Sequence, residues 1–211
     1  YEDLISSPNI DIIYIALPNS LHAKYIHKSI NEKKNILVEK PALIDFKDLL
    51  VLKDSLQKEK IFFTEAFMYR YLPYFQKLKE IIETNILGKI VNIHSTFNTK
   101  VYKQKKFFGV KIKKPDYSNR LFNKELGGGA ILDIGCYPMS MARLIAGTLM
   151  NKNFTDPVKI TASGELSSAD IDLSAKAEIK FNTDIRAIIT SSINEEYENS
   201  LRIKSQDKEL S

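Results

Sequence analysis

The sequence predicts an α/β chain in two parts: a parallel sheet with crossover helices, then an α+β part with a large, mostly antiparallel sheet. Three observations predict it. Short apolar, β-rich runs alternate with amphipathic helical stretches through the first part of the chain. After Gly88 the strand candidates follow one another at hairpin-like intervals, separated by turn residues. A hydrophobic content of 44% over 211 residues is enough to bury a core in one or two domains.

The elements follow in order. IDIIYIAL is a continuous apolar run, expected as a strand buried on both faces. SLHAKYIHKSINEKK reads as a helix with Ser20 as its N-cap, and NILVEKP as a short strand ending in charge. DFKDLLVLKDSLQKEK is a second amphipathic helix with Asp45 as cap, and IFFTEAF a third strand. Pro73 suits the first turn of PYFQKLKEIIETN. KIVNIHSTFNT then reads as a longer strand, followed by a basic, aromatic loop from Lys100 to Arg120. ELGGGAILDIGCYPMSMARLIAG is expected as a helix with Gly147 past its end; Pro138 removes one backbone donor and can kink it. PVKITASGEL, IDLSAKAEIKF, IRAIITSSINEE and NSLRIKS are four further strands. The change of pattern places a domain boundary between residues 65 and 90.

Composition narrows the function. The single cysteine, Cys136, excludes an intrachain disulfide and makes a reducing, cytoplasmic setting the default. No apolar run is long enough to cross a bilayer. The net charge of +5 comes from lysine, with only Arg70, Arg120, Arg143, Arg186 and Arg202 among the 31 basic residues. Arginine is the usual bidentate reader of phosphates and bases, so this surplus argues poorly for specific nucleic-acid binding. The lysine–aromatic stretch KVYKQKKFFGVKIKKPDYSNR has two readings, a stacking surface for nucleic acid and a basic loop beside a small-molecule site. Three histidines and one cysteine, widely scattered, give no metal-ligand spacing.

In an open parallel sheet, ligands bind beyond the carboxyl ends of the strands. That rule selects ALPNSLH, VEKPA and TEAFMYRY, with Asn19, His22, Glu39, Lys40, Glu65 and Arg70 as their polar residues. A Glu–Lys pair directly after a buried strand is unusual. A lysine desolvated at the crevice mouth suits proton transfer or the holding of a substrate oxygen; the alternative is that Glu39 and Lys40 satisfy each other. Asp133 and Tyr137 are spaced i, i+4, which on a helix projects both from one face. Together they could bind a polyol and protonate a carbonyl oxygen, with Lys40 as the cation that lowers the tyrosine pKa; alternatively, Asp133 caps a turn and Tyr137 packs. His22, in the first turn of its helix, fits capping and ligand contact equally, and His94 reads as packed.

Taken together, ALPNSLH, VEKPA, TEAFMYRYLP, LGKI, RLF and LGGGAILDIGCYP, in this order and spacing, resemble the Gfo/Idh/MocA family of NAD(P)-dependent oxidoreductases. The nearest branch is that of the dimeric dihydrodiol dehydrogenases, D-xylose dehydrogenases and glucose–fructose oxidoreductase. The resemblance implies that residues 1–70 are the later part of a Rossmann domain and residues 71–211 a substrate-binding, oligomerising sheet domain. It implies that Lys40 and Tyr137 are catalytic and that Asp133 binds substrate hydroxyls. It sets Ala16, Pro18, Asn19, His22, Glu39, Lys40, Pro41 and Arg70 near the cofactor, NAD or NADP. The partners implied are a small-molecule sugar, polyol or dihydrodiol and a second copy of the chain through the open sheet face.

The family's opening strand, G-x-G-x-x-G turn and ribose-reading residue are not in this sequence. Two βα units, about 60 residues at the usual unit size, would be needed to supply them. The chain therefore reads as a fragment that binds NAD(P) poorly alone. The competing reading is a binding or scaffold relative without catalysis. Gly127, Gly128 and Gly129 are expected to let the backbone approach cofactor or substrate closely.

Overall fold

A computed structural model describes residues 1–211 apart from 102, 108–109, 115–118, 183 and 196–197; for 103–107 and 110–114 it describes the backbone alone. Helix α1 (Glu2–Ser6) leads into β1 (Ile12–Ile15), α2 (Asn19–Asn31), β2 (Asn35–Val38), α3 (Phe46–Glu59) and β3 (Phe63–Glu65). The three strands pair in parallel in the order β1-β2-β3, with Ile13 beside Ile36 and Val38 beside Glu65. Asp45 caps α3 by accepting from the Lys47 amide. For α2 the cap differs from expectation: the helix starts two residues earlier, with Pro18 rather than Ser20 at the N-cap and no side-chain cap.

Strand β1 is also not buried on both faces. Ile13 and Ile15 are buried, whereas Ile12 and Tyr14 are 57% and 55% exposed. Successive right-handed crossovers running in one direction put their helices on the same side of a sheet, and α2 packs against α3 accordingly. The core of Ile5, Ile26, Ile36, Val38 and Leu52 fills that side and leaves Ile12 and Tyr14 on the other.

The second part carries α4 (Pro73–Glu83), β4 (Ile90–Asn98), a hairpin of β5 (Lys103–Phe107) and β6 (Val110–Lys114), then α5 (Cys136–Thr148). Strands β7 (Pro157–Leu166), β8 (Asp172–Phe181), β9 (Arg186–Ser192), β10 (Ser200–Ser205) and β11 (Glu209–Leu210) complete it. The six-stranded sheet runs β11-β10-β4-β9-β8-β7, antiparallel except between β4 and β9. Helices α4 and α5 cover the face bearing Ile93, Ile179, Ile189 and Ile203, and Phe67 and Tyr69 already belong to this core. The other face is polar, with Lys176, Glu178, Lys180 and Arg186 exposed on it. His94 lies exposed on that face, rather than packed.

Two further expectations change. The stretch from Lys100 to Arg120, expected as a loop, contains the β5–β6 hairpin; its aromatic residues Tyr102, Phe108 and Tyr117 lie outside the described residues. The helix expected from the glycine run opens instead with a wide π turn, Ile131–Gly135, and Gly147 lies inside α5. Pro138 supplies the reason. It has no N–H for the Ile134 carbonyl, and its ring crowds that carbonyl, so the backbone opens there.

Candidate active site

The carboxyl ends of β1, β2 and β3 are tied to one another. The Glu39 amide donates to the Ile15 carbonyl and the Ala66 amide to the Val38 carbonyl. The Ala42 amide donates to the Glu65 carboxylate at 2.9 Å. His22, fully buried, sits between the first two loops: Nδ1 lies 2.9 Å from the Pro41 carbonyl oxygen and Nε2 lies 2.8 Å from that of Leu17. Each ring nitrogen faces a backbone carbonyl oxygen, to which only an N–H can donate, and His22 is thereby held as a brace behind the loops.

Glu39 and Lys40 diverge instead of pairing. Glu39 accepts from the Tyr14 hydroxyl at 2.6 Å, which raises the tyrosine pKa. Lys40 crosses to the second part of the chain. Its Nζ donates to the Asp133 main-chain oxygen at 2.6 Å and lies 3.4 Å from Oδ1. The Arg120 guanidinium donates to the same Oδ1 at 2.7 Å. The Lys40 and Asp133 side chains are 13% and 11% exposed, whereas that of Arg120 is 45% exposed. A carboxylate shared by two cations is thus held where the two parts of the chain meet.

Tyr137 lies close by. Lys40 Nζ is 5.2 Å from its ring centroid. Phe67, Tyr69 and Phe97 surround the ring, with centroids 5.6, 6.3 and 5.1 Å away. The expectation that Lys40 lowers the phenol pKa is overturned. Burial pushes Tyr137 up to about 12, reinforced by the neighbouring Cys136, Glu39 and Asp133. The Lys40 ammonium is spent on Asp133 and makes no hydrogen bond to the phenol. Tyr137 also forms part of the wall of a cleft of about 1030 Å³ between α4, β4, β10 and the start of α5, lined by Leu78, Ser95 and Leu201 among others.

The glycines approach protein rather than leaving room for a ligand. A Cβ on Gly127 would lie 2.9 Å from the Asn19 Cβ, and the Asn19 amide donates to the Gly127 carbonyl at 3.0 Å. A Cβ on Gly128 would meet the Leu121 carbonyl oxygen at 2.5 Å, and one on Gly129 the Asp172 carboxylate at 2.0 Å. Asp172 in turn accepts from the Ile131 amide at 2.6 Å and so closes the start of the π turn. Burial raises its pKa, an effect opposed by the backbone amides it accepts from.

The structure therefore brings Lys40, Asp133 and Tyr137 together and sets Ala16, Pro18, Glu39 and Pro41 on the adjoining loops. Asn19 and His22 adjoin them but spend their polar atoms on the protein. Arg70 is elsewhere: its guanidinium stacks on Phe154, which packs against Gly147 at the far end of α5. Sequence reasoning missed Arg120 and Asp172. Their partners lie at separations of 13 and 41 residues, which no helical or strand periodicity marks.

Comparison with known proteins identifies the family of the chain. The family description "Oxidoreductase family, NAD-binding Rossmann fold" matches residues 1–67, and "GFO/IDH/MocA C-terminal domain" matches residues 75–208. A trans-1,2-dihydrobenzene-1,2-diol dehydrogenase from Xenopus tropicalis is 28% identical over 92% of this chain and 52% of its own length. A D-xylose 1-dehydrogenase (NADP(+)) from Haloferax volcanii is 26% identical over 100% of this chain and 58% of its own. The chain thus spans a little over half of these relatives. Myo-inositol 2-dehydrogenase from Lactobacillus plantarum superposes with a TM-score of 0.79 at 19% identity, over 100% of this chain and 59% of that one. A 3-ketoreductase from Actinomadura kijaniata, solved with NADP and TDP-benzene, gives 0.77 at 22% identity over 98% and 57%. With a Rossmann-like parallel sheet, a mostly antiparallel second sheet and both family descriptions matched in order, the chain belongs to the GFO/IDH/MocA oxidoreductase family.

Proposed function

We propose that the protein carrying this chain is an NAD(P)-dependent oxidoreductase acting on a polyol or on a sugar or trans-dihydrodiol, the last two being the substrates for which the D-xylose and dihydrodiol relatives are named. The observation that carries this reading is the bond from Lys40 to Asp133 across the two parts of the chain, with the Tyr137 ring 5.2 Å from the same ammonium. The loops after the parallel strands fit the nicotinamide half of the cofactor. Their backbones are tied together, and α2 starts without a side-chain cap. Ala16 and Pro18 would line it from the first loop, and Glu39 and Pro41 from the second. When bound, the nicotinamide supplies or accepts hydride at the substrate carbon.

Asp133, held by Lys40 and Arg120, accepts hydrogen bonds from substrate hydroxyls and fixes the reacting carbon. Lys40, with two of its three N–H groups directed at Asp133, keeps one to donate toward the reacting oxygen. Tyr137, its pKa pushed up to about 12, stays protonated at neutral pH and gives its proton to that oxygen as negative charge develops. The same reading assigns the polar face of the second sheet to a second copy of the chain, which sedimentation would test.

The decisive experiment is Tyr137→Phe. Turnover with NADPH and a sugar or diol substrate is expected to fall by roughly 10²- to 10⁴-fold, the span of general acid catalysis. Near-normal turnover in that variant would reject the role. Both measurements are made on the full-length protein, and its failure to bind NADPH would favour a binding or scaffold relative.

A further inference from the structure

We propose that β7, at one edge of the six-stranded sheet, docks against β7 of a second copy, the two strands pairing antiparallel about Ala162. The proposal is independent of the hydride-transfer reading and concerns an edge of the sheet, not its polar face.

The first observation is the strand itself. The two edges of the sheet are unlike: β11 has two residues, whereas β7 has ten, longer than most strands. Among the described residues β8 is the only strand paired with β7. Every residue from Val158 to Leu166 is exposed, with Val158, Ile160 and Leu166 at 59%, 50% and 61%. A long edge strand of this kind presents a row of unpaired N–H and C=O groups to any incoming strand. Features that blunt an edge are confined to its ends, where Pro157 stands and where the register shifts at Pro157/Lys159 and Glu165/Leu166. Between them, residues 159–165 keep a regular register with β8.

The second observation is the order of side chains within that span, which is self-complementary. A two-fold axis at Ala162 sets Lys159 opposite Glu165 and Thr161 opposite Ser163, each pair occurring twice. Centring the axis on any neighbouring residue separates the charges. Within its own sheet Lys159 has a like charge, Lys180, across from it. An acid arriving on the free side is therefore the complement it lacks in register. Glu165 accepts from the Asn194 amide through Oε2 at 3.2 Å, which leaves Oε1 for the lysine.

Sedimentation velocity of the full-length protein carrying Lys159→Glu or Glu165→Lys tests the pairing. Each single substitution sets like charges opposite each other twice and should weaken self-association at least 10-fold. An equimolar mixture of the two variants should associate as tightly as the unsubstituted protein, because a mixed pair restores both ion pairs. Where the polar faces also join copies, the single variants should sediment as dimers in place of tetramers. Ala162→Cys separates the edge from the polar face. Ala162 lies on the side of Ala177 and Ile179, away from Glu178 and Lys180, so packing of two polar faces does not bring two such positions together. A short bismaleimide should link two copies there, as mapped by mass spectrometry. Unchanged association of the single variants, no rescue on mixing, or no link at position 162 would overturn the proposal. So would a monomeric full-length protein, the outcome expected if another segment of the same chain were seated on β7.

Discussion

Lys40, in the loop after β2, and Asp133, in the π turn ahead of α5, are 93 residues apart and meet through both the main-chain oxygen and the carboxylate of the aspartate. Removing one partner of a buried, hydrogen-bonded ion pair costs about 3–5 kcal/mol, because the charge left behind is uncompensated. Asp133→Ala leaves two cations, Lys40 and Arg120, facing each other. The variant should lose about 3 kcal/mol in urea unfolding, and Lys40→Met added to it should recover part of that loss. Strict additivity of the two changes would show that the pair is not coupled.

Alkaline pH tests the environment of Tyr137. Its pKa is raised from 10.0 to about 12 in the folded state, mainly by burial. A group whose folded pKa is raised contributes stability that is complete below its unfolded pKa and lost as pH rises through the folded value. Unfolding midpoints of the unsubstituted protein should therefore decline from about pH 10 upward. The Tyr137→Phe variant should decline less. Parallel curves would mean that the phenol is solvated.

Cys136 gives a chemical readout of the same region. Burial pushes its thiol from 9.0 up to about 12, only partly offset by Lys40. Thiolate is the reactive form, so at about pH 8 the native protein should resist iodoacetamide for hours and react within minutes once unfolded in urea. Mass spectrometry showing rapid alkylation of the native state would contradict the packing around the π turn.

Among the glycines, position 129 carries the sharpest steric demand. Its φ is +109° and an added Cβ would fall 2.0 Å from the Asp172 carboxylate. Gly129→Ala should cost about 2–4 kcal/mol, combining backbone strain with displacement of the carboxylate that accepts from Ile131. Gly88→Ala, with φ +75° and open space around it, should cost only about 1 kcal/mol. Equal losses in chemical denaturation would remove Asp172 from the account.

Local chemistry carries far in this sequence. Asp45 is where a cap should be, Pro73 opens its helix, and the strand–helix rhythm yields the parallel β1-β2-β3 sheet. The rhythm could not show that α2 and α3 share one side, which leaves Ile12 and Tyr14 uncovered. Spacing alone paired Asp133 with Tyr137, but the π turn ahead of Pro138 sends the carboxylate to Lys40 and Arg120 and the phenol into an aromatic nest. That divergence arises from one missing N–H and is invisible to a periodic reading. The expected pull of Lys40 on the tyrosine failed for a related reason: a cation already satisfied by a carboxylate has little left for a buried phenol.

The order in which β4 finds its neighbours sets a clock on folding. It sits in the middle of the six-stranded sheet, yet Asn92 pairs with Arg186 and Ile93 with Ile203. During synthesis this strand must therefore wait for roughly ninety residues of chain before either edge is closed, a separation that slows assembly and leaves its backbone unpaired meanwhile. The parallel sheet, whose contacts are short-range by comparison, can close long before. The ammonium of Lys40 would then be in place ahead of the carboxylate it has to meet, and the crevice would be completed by the arrival of the later sheet.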